Sequence, residues 1–173
     1  GTAAALTWAA PEIARRAGLD AVMISVHADW AIGDVPRFRA TLLEAAAAAA
    51  SAHALVTVGI VPTHGDTGLG YIQPGAATGS ALREVGRFIE KPDREKAEAL
   101  VREGCFWNSG IFAWRVGDLL DEVRQLCPEV WPALEAGTVH PIVDATYSLG
   151  AVIEAHRRLE AGDVVGKLVL QVV

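Results

Sequence analysis

A carboxylate stands where a short apolar segment of the sequence ends. Asp29 follows the apolar run 21–26, which is too short for a helix and predicts a buried strand. Open α/β sheets bind ligands at the carboxyl ends of their strands, because strand ends and helix N-termini converge there. A carboxylate at that edge can bind Mg²⁺ together with substrate phosphates. The alternative is an Asp that caps the following turn or helix.

Two adjacent charged residues, Glu90 and Lys91, form a second candidate, and Pro92 makes the chain rigid directly after them. A carboxylate can accept two hydrogen bonds from sugar hydroxyls, while an ammonium group can bind a phosphate as a point charge. The alternative is an exposed ion pair that contributes little energy.

Two further segments could belong to the same pocket. Asn108 lies in Trp-Asn-Ser-Gly at 107–110, and its amide can both donate and accept hydrogen bonds. Gly70 and Tyr71 end the segment Gly-Leu-Gly-Tyr, whose glycines allow backbone amides to face a ligand. Each segment alone is weak evidence, since two glycines more often mark only a turn.

The elements that must position these residues alternate between helices and strands. The sequence predicts helices at 2–16, 36–50, 94–103, 118–126 and 149–160, with Asp93 as the N-cap of the third. It predicts strands at 21–26, 54–61, 71–73, 85–90, 107–114 and 167–173. The first two strands have the continuous apolar pattern of parallel strands covered by crossover helices, so we expect an α/β fold.

Composition excludes several classes of function. The chain has 15 Lys and Arg against 21 Asp and Glu, a formal net charge of −6, and no basic run. We therefore expect neither nucleic acid nor a membrane surface as a partner. The sequence shows no bilayer-spanning apolar stretch and no secretory leader pattern, which predicts a cytoplasmic protein. Cys105 and Cys127 are too few for a disulfide framework and are expected to be reduced.

Several segments, taken together and in order, carry a family resemblance. They are Ala-Asp at 28–29, Gly-Ile-Val-Pro-Thr at 59–63, Thr-Gly-Leu-Gly-Tyr-Ile at 67–72, Arg-Phe-Ile-Glu-Lys-Pro-Asp at 87–93 and Phe-Trp-Asn-Ser-Gly-Ile-Phe at 106–112. Over about residues 1–135 the chain resembles the mannose-1-phosphate guanylyltransferases, which are sugar nucleotidyltransferases. The resemblance implies a Rossmann-like nucleotide-diphospho-sugar transferase core, truncated at the N-terminus, with three layers around a mostly parallel mixed sheet.

The resemblance also implies a reaction, in which GTP and mannose 1-phosphate give GDP-mannose and pyrophosphate. Asp29 would hold Mg²⁺, and Lys91 would bind the sugar phosphate; these two are the implied catalytic residues. The implied sugar-binding residues are Gly70, Tyr71, Glu90 and Asn108. Such a transfer needs positioning and charge neutralisation more than a protein nucleophile. The expected partners are a sugar 1-phosphate and a nucleoside triphosphate, and a homo-oligomer remains open.

The nucleotide half departs from the family pattern. The loop Gly-x-Gly-Thr-Arg-Leu with its following Lys would precede residue 1, and no second metal carboxylate is recognisable after Trp131. His27 stands where the family usually has Pro, and Trp30 where it commonly has His. We therefore expect transfer by this chain to be impaired. A catalytically inert scaffold is the alternative function.

The end of the chain has a different resemblance. Its segments are Gly-Thr-Val-His-Pro-Ile-Val-Asp at 137–144, Glu154–Gly162 and 166–170. They look like the C-terminal end of medium-chain quinone oxidoreductases, which implies a chimera: a nucleotidyltransferase-like core at 1–136 with a dehydrogenase-like helix and strand at 137–173 packed on it. No Gly-x-Gly-x-x-Gly fingerprint occurs, so an NADPH-dependent quinone reductase fragment is the weakest alternative. The apolar residues of the last helix, Ile153 and Leu159 among them, are predicted to be buried.

Overall fold

Six α-helices and seven strands occur within residues 2–27, 30–78, 82–138 and 142–171, the part of the chain that this computed structural model describes. The residues form two units, 1–128 and 129–173. The α/β class predicted from the sequence is confirmed. None of the helices in the described ranges is long and apolar enough to cross a membrane. Both cysteines are free thiols, as predicted.

The first unit contains four helices and five strands within its described residues. They are α1 Thr2–Ala17, β1 Val22–Ser25, α2 Val35–Ala52, β2 Val56–Ile60, β3 Tyr71–Ala77, β4 Arg83–Ile89, α3 Arg94–Arg102, β5 Phe106–Arg115 and α4 Val116–Leu126. In the second unit, the corresponding elements are α5 Trp131–Glu135, β6 Val143–Ser148, α6 Val152–Ala161 and β7 Lys167–Gln171, with a 3₁₀ turn at Leu149–Ala151.

Local capping explains where two of the helices begin. The Asp34 side chain accepts a hydrogen bond from the backbone N of Arg37 at 3.0 Å, and proline in the first turn supports the start of α2. The Asp93 side chain accepts a bond from the backbone N of Lys96 at 2.8 Å and starts α3. The N-cap predicted at Asp93 is thus confirmed.

β5 is the central strand of the five-stranded sheet in the first unit. Its Phe112 pairs with Ser25 of β1 and with Thr57 of β2, so these two strands lie on opposite edges of β5. β3 also pairs with β5, and β4 pairs with β3. All these pairings are antiparallel.

The prediction of a mostly parallel sheet is therefore wrong for the described pairings of the five-stranded sheet. β1 and β2 run in the same direction, but β5 lies between them and runs in the opposite direction. The continuous apolar pattern carries no information about the direction of the neighbouring strand, and β2 is only half-buried and ends exposed at Gly59 and Ile60.

Two groups of buried residues support the sheet. On one face, α2 packs against the strands through small side chains, which allow a close approach. The buried residues of this group are Ala45 and Ala49 of α2 and Ala113 of β5. The second group joins α3 to strands β3 and β5 and consists of Tyr71, Ala97, Leu100 and Cys105. This second group lies directly beneath the candidate site.

The second unit is built around two parallel strands, β6 and β7, joined through α6. Ala155 of α6 is buried, whereas Ile153 and Leu159 are 65% and 58% exposed. The predicted burial of these two side chains is wrong, because a two-stranded sheet covers only a narrow strip of a helix. Most side chains of the predicted last strand lie outside the described set.

Candidate functional site

Three of the predicted site residues lie in one row across the sheet, next to the row that contains Tyr71. Tyr71 of β3 pairs with Ile89 of β4 and with Trp107 of β5. In antiparallel strands the next row outward lies on the opposite face of the sheet. Its members are Gly70, Glu90 and Asn108. The backbone N of Asn108 donates to the carbonyl O of Gly70 at 2.8 Å, which continues the register into this row.

Gly70 allows the side chains on either side of it to approach each other. A Cβ at this position would lie 2.8 Å from Oε2 of Glu90 and 3.6 Å from Cβ of Asn108. The Glu90 carboxylate therefore occupies the space that a side chain at position 70 would fill. Three residues separated by up to 38 positions in the sequence thus surround one small region of the sheet surface.

The orientation of the Asn108 amide is fixed by the protein. Its Oδ1 accepts a hydrogen bond from the backbone N of Gly110 at 3.0 Å and lies 3.5 Å from Oγ1 of Thr57, whose proton has a nearer acceptor in the carbonyl O of Ile111 at 3.3 Å. Because Oδ1 faces these partners, the Nδ2 amino group points away from them. Asn108 can therefore act as a donor toward a bound molecule.

Lys91 lies at a sharp turn directly after β4. Its φ of 41° is in the left-handed region, which non-glycine residues adopt at a cost of about 1–2 kcal/mol. Pro92, which follows, is buried, while Glu90 and Lys91 are both exposed. The turn thus leaves a carboxylate and an ammonium group accessible side by side.

Asp29, the predicted metal ligand, lies outside the described residues. The residues on either side of positions 28 and 29 are described: the rings of His27 and Trp30 stack with centroids 5.1 Å apart and planes inclined by 14°. A Cβ at Gly110 would clash with Nε2 of His27. The end of β1 therefore adjoins β5 two residues from Asn108.

Tyr71, predicted to bind substrate, is fully buried. Its hydroxyl accepts a hydrogen bond from the backbone N of Asp66 at 2.7 Å and donates to the carbonyl O of Asp66 at 3.0 Å. The side chain has no surface open to a ligand, contrary to the expectation, because strand alternation turns it to the face opposite Gly70. Tyr71 instead holds the loop that leads to Gly70.

Sequence reasoning missed two side chains near Asn108. Ser109 is 4% exposed, and its Oγ donates to the carbonyl O of Val58 at 2.6 Å and accepts from the backbone N of Ile111 at 3.0 Å. Thr57 reaches the Asn108 amide from β2. Ser109 stands inside the recognised motif, which is a usable signal, whereas Thr57 looks like any β-branched strand residue.

Cys105 lies in the buried group under the site. Burial raises the pKa of its thiol, and the negative charge of Glu103 raises it further, against an opposing effect of Arg87. The thiol therefore stays neutral near pH 7, and Cys105 contributes packing rather than a reactive thiolate.

A groove of about 550 Å³ adjoins this row on the β2 side, where Thr57 and Gly59 line it. It is lined mainly by apolar residues, among them Ala52, Leu55, Ile72, Val85 and Phe106. None of Gly70, Glu90 and Asn108 lines it. We place the candidate site at the row of polar groups rather than in this groove, because orientation of a polar ligand needs converging donors and acceptors.

Comparison with known proteins identifies the family of the chain. The family described as Nucleotidyl transferase matches residues 1–145. The chain belongs to the nucleotidyl transferase family. The match to this nucleotidyl transferase family runs past the join expected near Ala136.

Curated relatives of this nucleotidyl transferase include two guanylyltransferases. Mannose-1-phosphate guanylyltransferase from Sinorhizobium fredii is 38% identical over 147 residues, which cover 84% of this chain and 28% of that protein. The enzyme of the same name from Klebsiella pneumoniae is 43% identical over 139 residues, covering 78% of this chain and 29% of that protein. The chain thus spans less than a third of the length of these relatives.

Two solved structures share the fold of this nucleotidyl transferase. Mannose-1-phosphate geranyltransferase from Thermus thermophilus superposes with a TM-score of 0.71 at 29% identity, over 78% of this chain and 39% of that one. Mannose-6-phosphate isomerase from Helicobacter pylori gives a TM-score of 0.64 at 26% identity, over 81% of this chain and 53% of that one. The resemblance seen in the sequence motifs is confirmed at the level of family and fold.

Proposed function

We propose that this nucleotidyl transferase binds mannose 1-phosphate at the row formed by Gly70, Glu90 and Asn108 and serves in guanylyl transfer from GTP, with release of pyrophosphate. The convergence of these three residues from neighbouring strands carries the proposal. The names of the curated relatives supply the substrates, a sugar 1-phosphate and a nucleoside triphosphate.

The proposed sugar contacts use complementary hydrogen-bonding groups. The Glu90 carboxylate accepts hydrogen bonds from two neighbouring sugar hydroxyls, while Nδ2 of Asn108 donates to a hydroxyl oxygen. Gly70 keeps the surface between them free of a side chain. The pattern of acceptors and donors selects for the arrangement of hydroxyls on the sugar.

Lys91 is the proposed phosphate ligand. Its ammonium group is exposed next to Glu90, so a sugar held by Glu90 brings its phosphate within reach of a point charge. The oxygen of this phosphate then attacks the α-phosphorus of GTP in line, and pyrophosphate leaves. Lys91 neutralises charge and orients the attacking phosphate, which is the main task of a protein in such transfers.

Asp29 is the proposed Mg²⁺ ligand. No group of three or more His, Cys, Asp or Glu able to hold a metal ion occurs among the described residues. Proteins commonly bind Mg²⁺ through one or two carboxylates, while substrate phosphates and water complete the coordination. A single carboxylate from Asp29 is compatible with this mode of binding. When bound, Mg²⁺ supplies charge neutralisation at the phosphates.

Pyrophosphate release tests the proposal. We expect release from GTP that requires both mannose 1-phosphate and Mg²⁺ and is lost in Asp29→Asn, because this change removes the metal-binding charge at nearly constant size. Asp121→Asn in α4 is the matched control and should leave the rate unchanged. Pyrophosphate release that does not depend on mannose 1-phosphate would contradict the proposal. Binding of mannose 1-phosphate without release of pyrophosphate would favour an inert scaffold.

A further inference from the structure

The hydrogen bonds of Ser109 occur at an irregularity in the central strand. Thr57 pairs with Phe112 and Gly59 pairs with Asn108, so one residue of β2 lies opposite three residues of β5. β5 therefore bulges by two residues directly after Asn108. Bulges of this kind interrupt the ladder and commonly redirect a side chain near a functional site.

Ser109 replaces hydrogen bonds that the bulge removes from the ladder. Its hydroxyl donates to the carbonyl O of Val58 at 2.6 Å and accepts from the backbone N of Ile111 at 3.0 Å. The Ser109 side chain thus bonds the bulge to β2 and also forms a hydrogen bond within the bulge, to the backbone of Ile111. At 4% exposure, water cannot easily take over these bonds.

The bulge determines how the Asn108 amide is oriented. The backbone N of Gly110, which belongs to the bulge, donates to Oδ1 of Asn108 at 3.0 Å. Gly110 itself has a φ of 70°, in the left-handed region. A change in the position of the bulge would therefore move the donor that holds Oδ1 and, with it, the amino group that faces the ligand.

We propose that Ser109 is a positioning residue, whose hydroxyl fixes the β5 bulge and thereby aims Nδ2 of Asn108 at the sugar. The proposal rests on the function proposed above for Asn108. Ser109 does not touch the substrate. Its effect on sugar-phosphate binding passes entirely through the Asn108 side chain.

A double-mutant cycle tests this route by calorimetric titration with mannose 1-phosphate. Ser109→Ala should raise the Kd about tenfold in the wild-type background, because the bulge loses both hydrogen bonds. In an Asn108→Ala background, the same change should have almost no further effect. Equal effects in the two backgrounds would overturn the proposal.

Two controls separate positioning from simple loss of stability. Val123→Ala in the buried face of α4 should lower the Tm without changing the Kd. Ser109→Thr keeps the hydroxyl and should restore binding relative to Ser109→Ala. Ser109→Cys, with a weak donor in a similar volume, replaces Ser109→Ala in the cycle if the latter does not fold.

A readout without ligand distinguishes this proposal from the proposed function. The side-chain amide protons of Asn108 should have NMR shifts distinct from those of an unstructured asparagine in the wild type and close to those values in Ser109→Ala. If mannose 1-phosphate fails to bind the wild type, the proposed function fails, while these signals still decide the role of Ser109. Unchanged signals in Ser109→Ala would overturn the positioning role.

Discussion

Glu90→Ala should weaken binding of mannose 1-phosphate by roughly 1–3 kcal/mol, or about 5- to 150-fold in Kd. The sugar hydroxyls would lose their charged acceptor and remain next to an apolar methyl group. Gly70 would then face empty space, because the carboxylate now lies 2.8 Å from where its Cβ would be. Calorimetric titration measures the change directly.

Glu84→Ala is the matched control for this prediction. Glu84 lies in β4, the strand that ends directly before Glu90. It is exposed like Glu90 but does not belong to the row of Gly70, Glu90 and Asn108. Its removal changes the net charge equally and should leave the Kd within a factor of about two, the range of ordinary surface substitutions. Equal affinity of the wild type and Glu90→Ala would remove Glu90 from the site.

Gly110→Ala should destabilise the fold by roughly 1.5–3.5 kcal/mol, since two costs combine at this position. An alanine at a φ of 70° adopts the left-handed region at about 1–2 kcal/mol. Its Cβ would also clash with Nε2 of His27, whose ring is held by stacking on Trp30. Displacement of that exposed ring adds the loss of its stacking contact with Trp30, about 0.5–1.5 kcal/mol.

Two further variants separate these costs in chemical denaturation. Gly104→Ala has a similar φ of 76° but nothing within 4 Å of the added Cβ, so it should show only the backbone cost. In a protein that also carries His27→Ala, Gly110→Ala should lower the free energy of unfolding by less. The reduction should equal the difference in stability between the single variants Gly110→Ala and Gly104→Ala. A Gly110→Ala protein no less stable than Gly104→Ala would contradict the described contact between β1 and β5.

Local signals in the sequence carry the information for where helices begin. The caps at Asp34 and Asp93 act within one helical turn, so neighbouring residues are enough to indicate them. Strand direction depends instead on which distant segment lies alongside. The apolar run of β1 therefore predicted a strand correctly, of which Met23 is buried, but could not show that its partner β5 runs antiparallel.

Prediction of the candidate site from the sequence has the same limit, because the site depends on how distant strands pair. Family motifs indicated Gly70, Glu90 and Asn108, but only the register of β3, β4 and β5 shows that the three lie in one row. The same family resemblance implies a substrate-binding role for Tyr71. Strand alternation instead places it in the core beneath the site, where its hydroxyl binds the backbone of Asp66.

Mapping of ligand binding by NMR shows whether mannose 1-phosphate binds at the row of Gly70, Glu90 and Asn108. In a titration of the uniformly ¹⁵N-labelled chain with mannose 1-phosphate, we expect saturable shifts concentrated at the backbone amides of Gly70, Glu90 and Lys91 and at the side-chain amide of Asn108. Shifts confined to the apolar groove around Leu55 and Val85, or no saturable shifts at millimolar ligand, would contradict binding at this row.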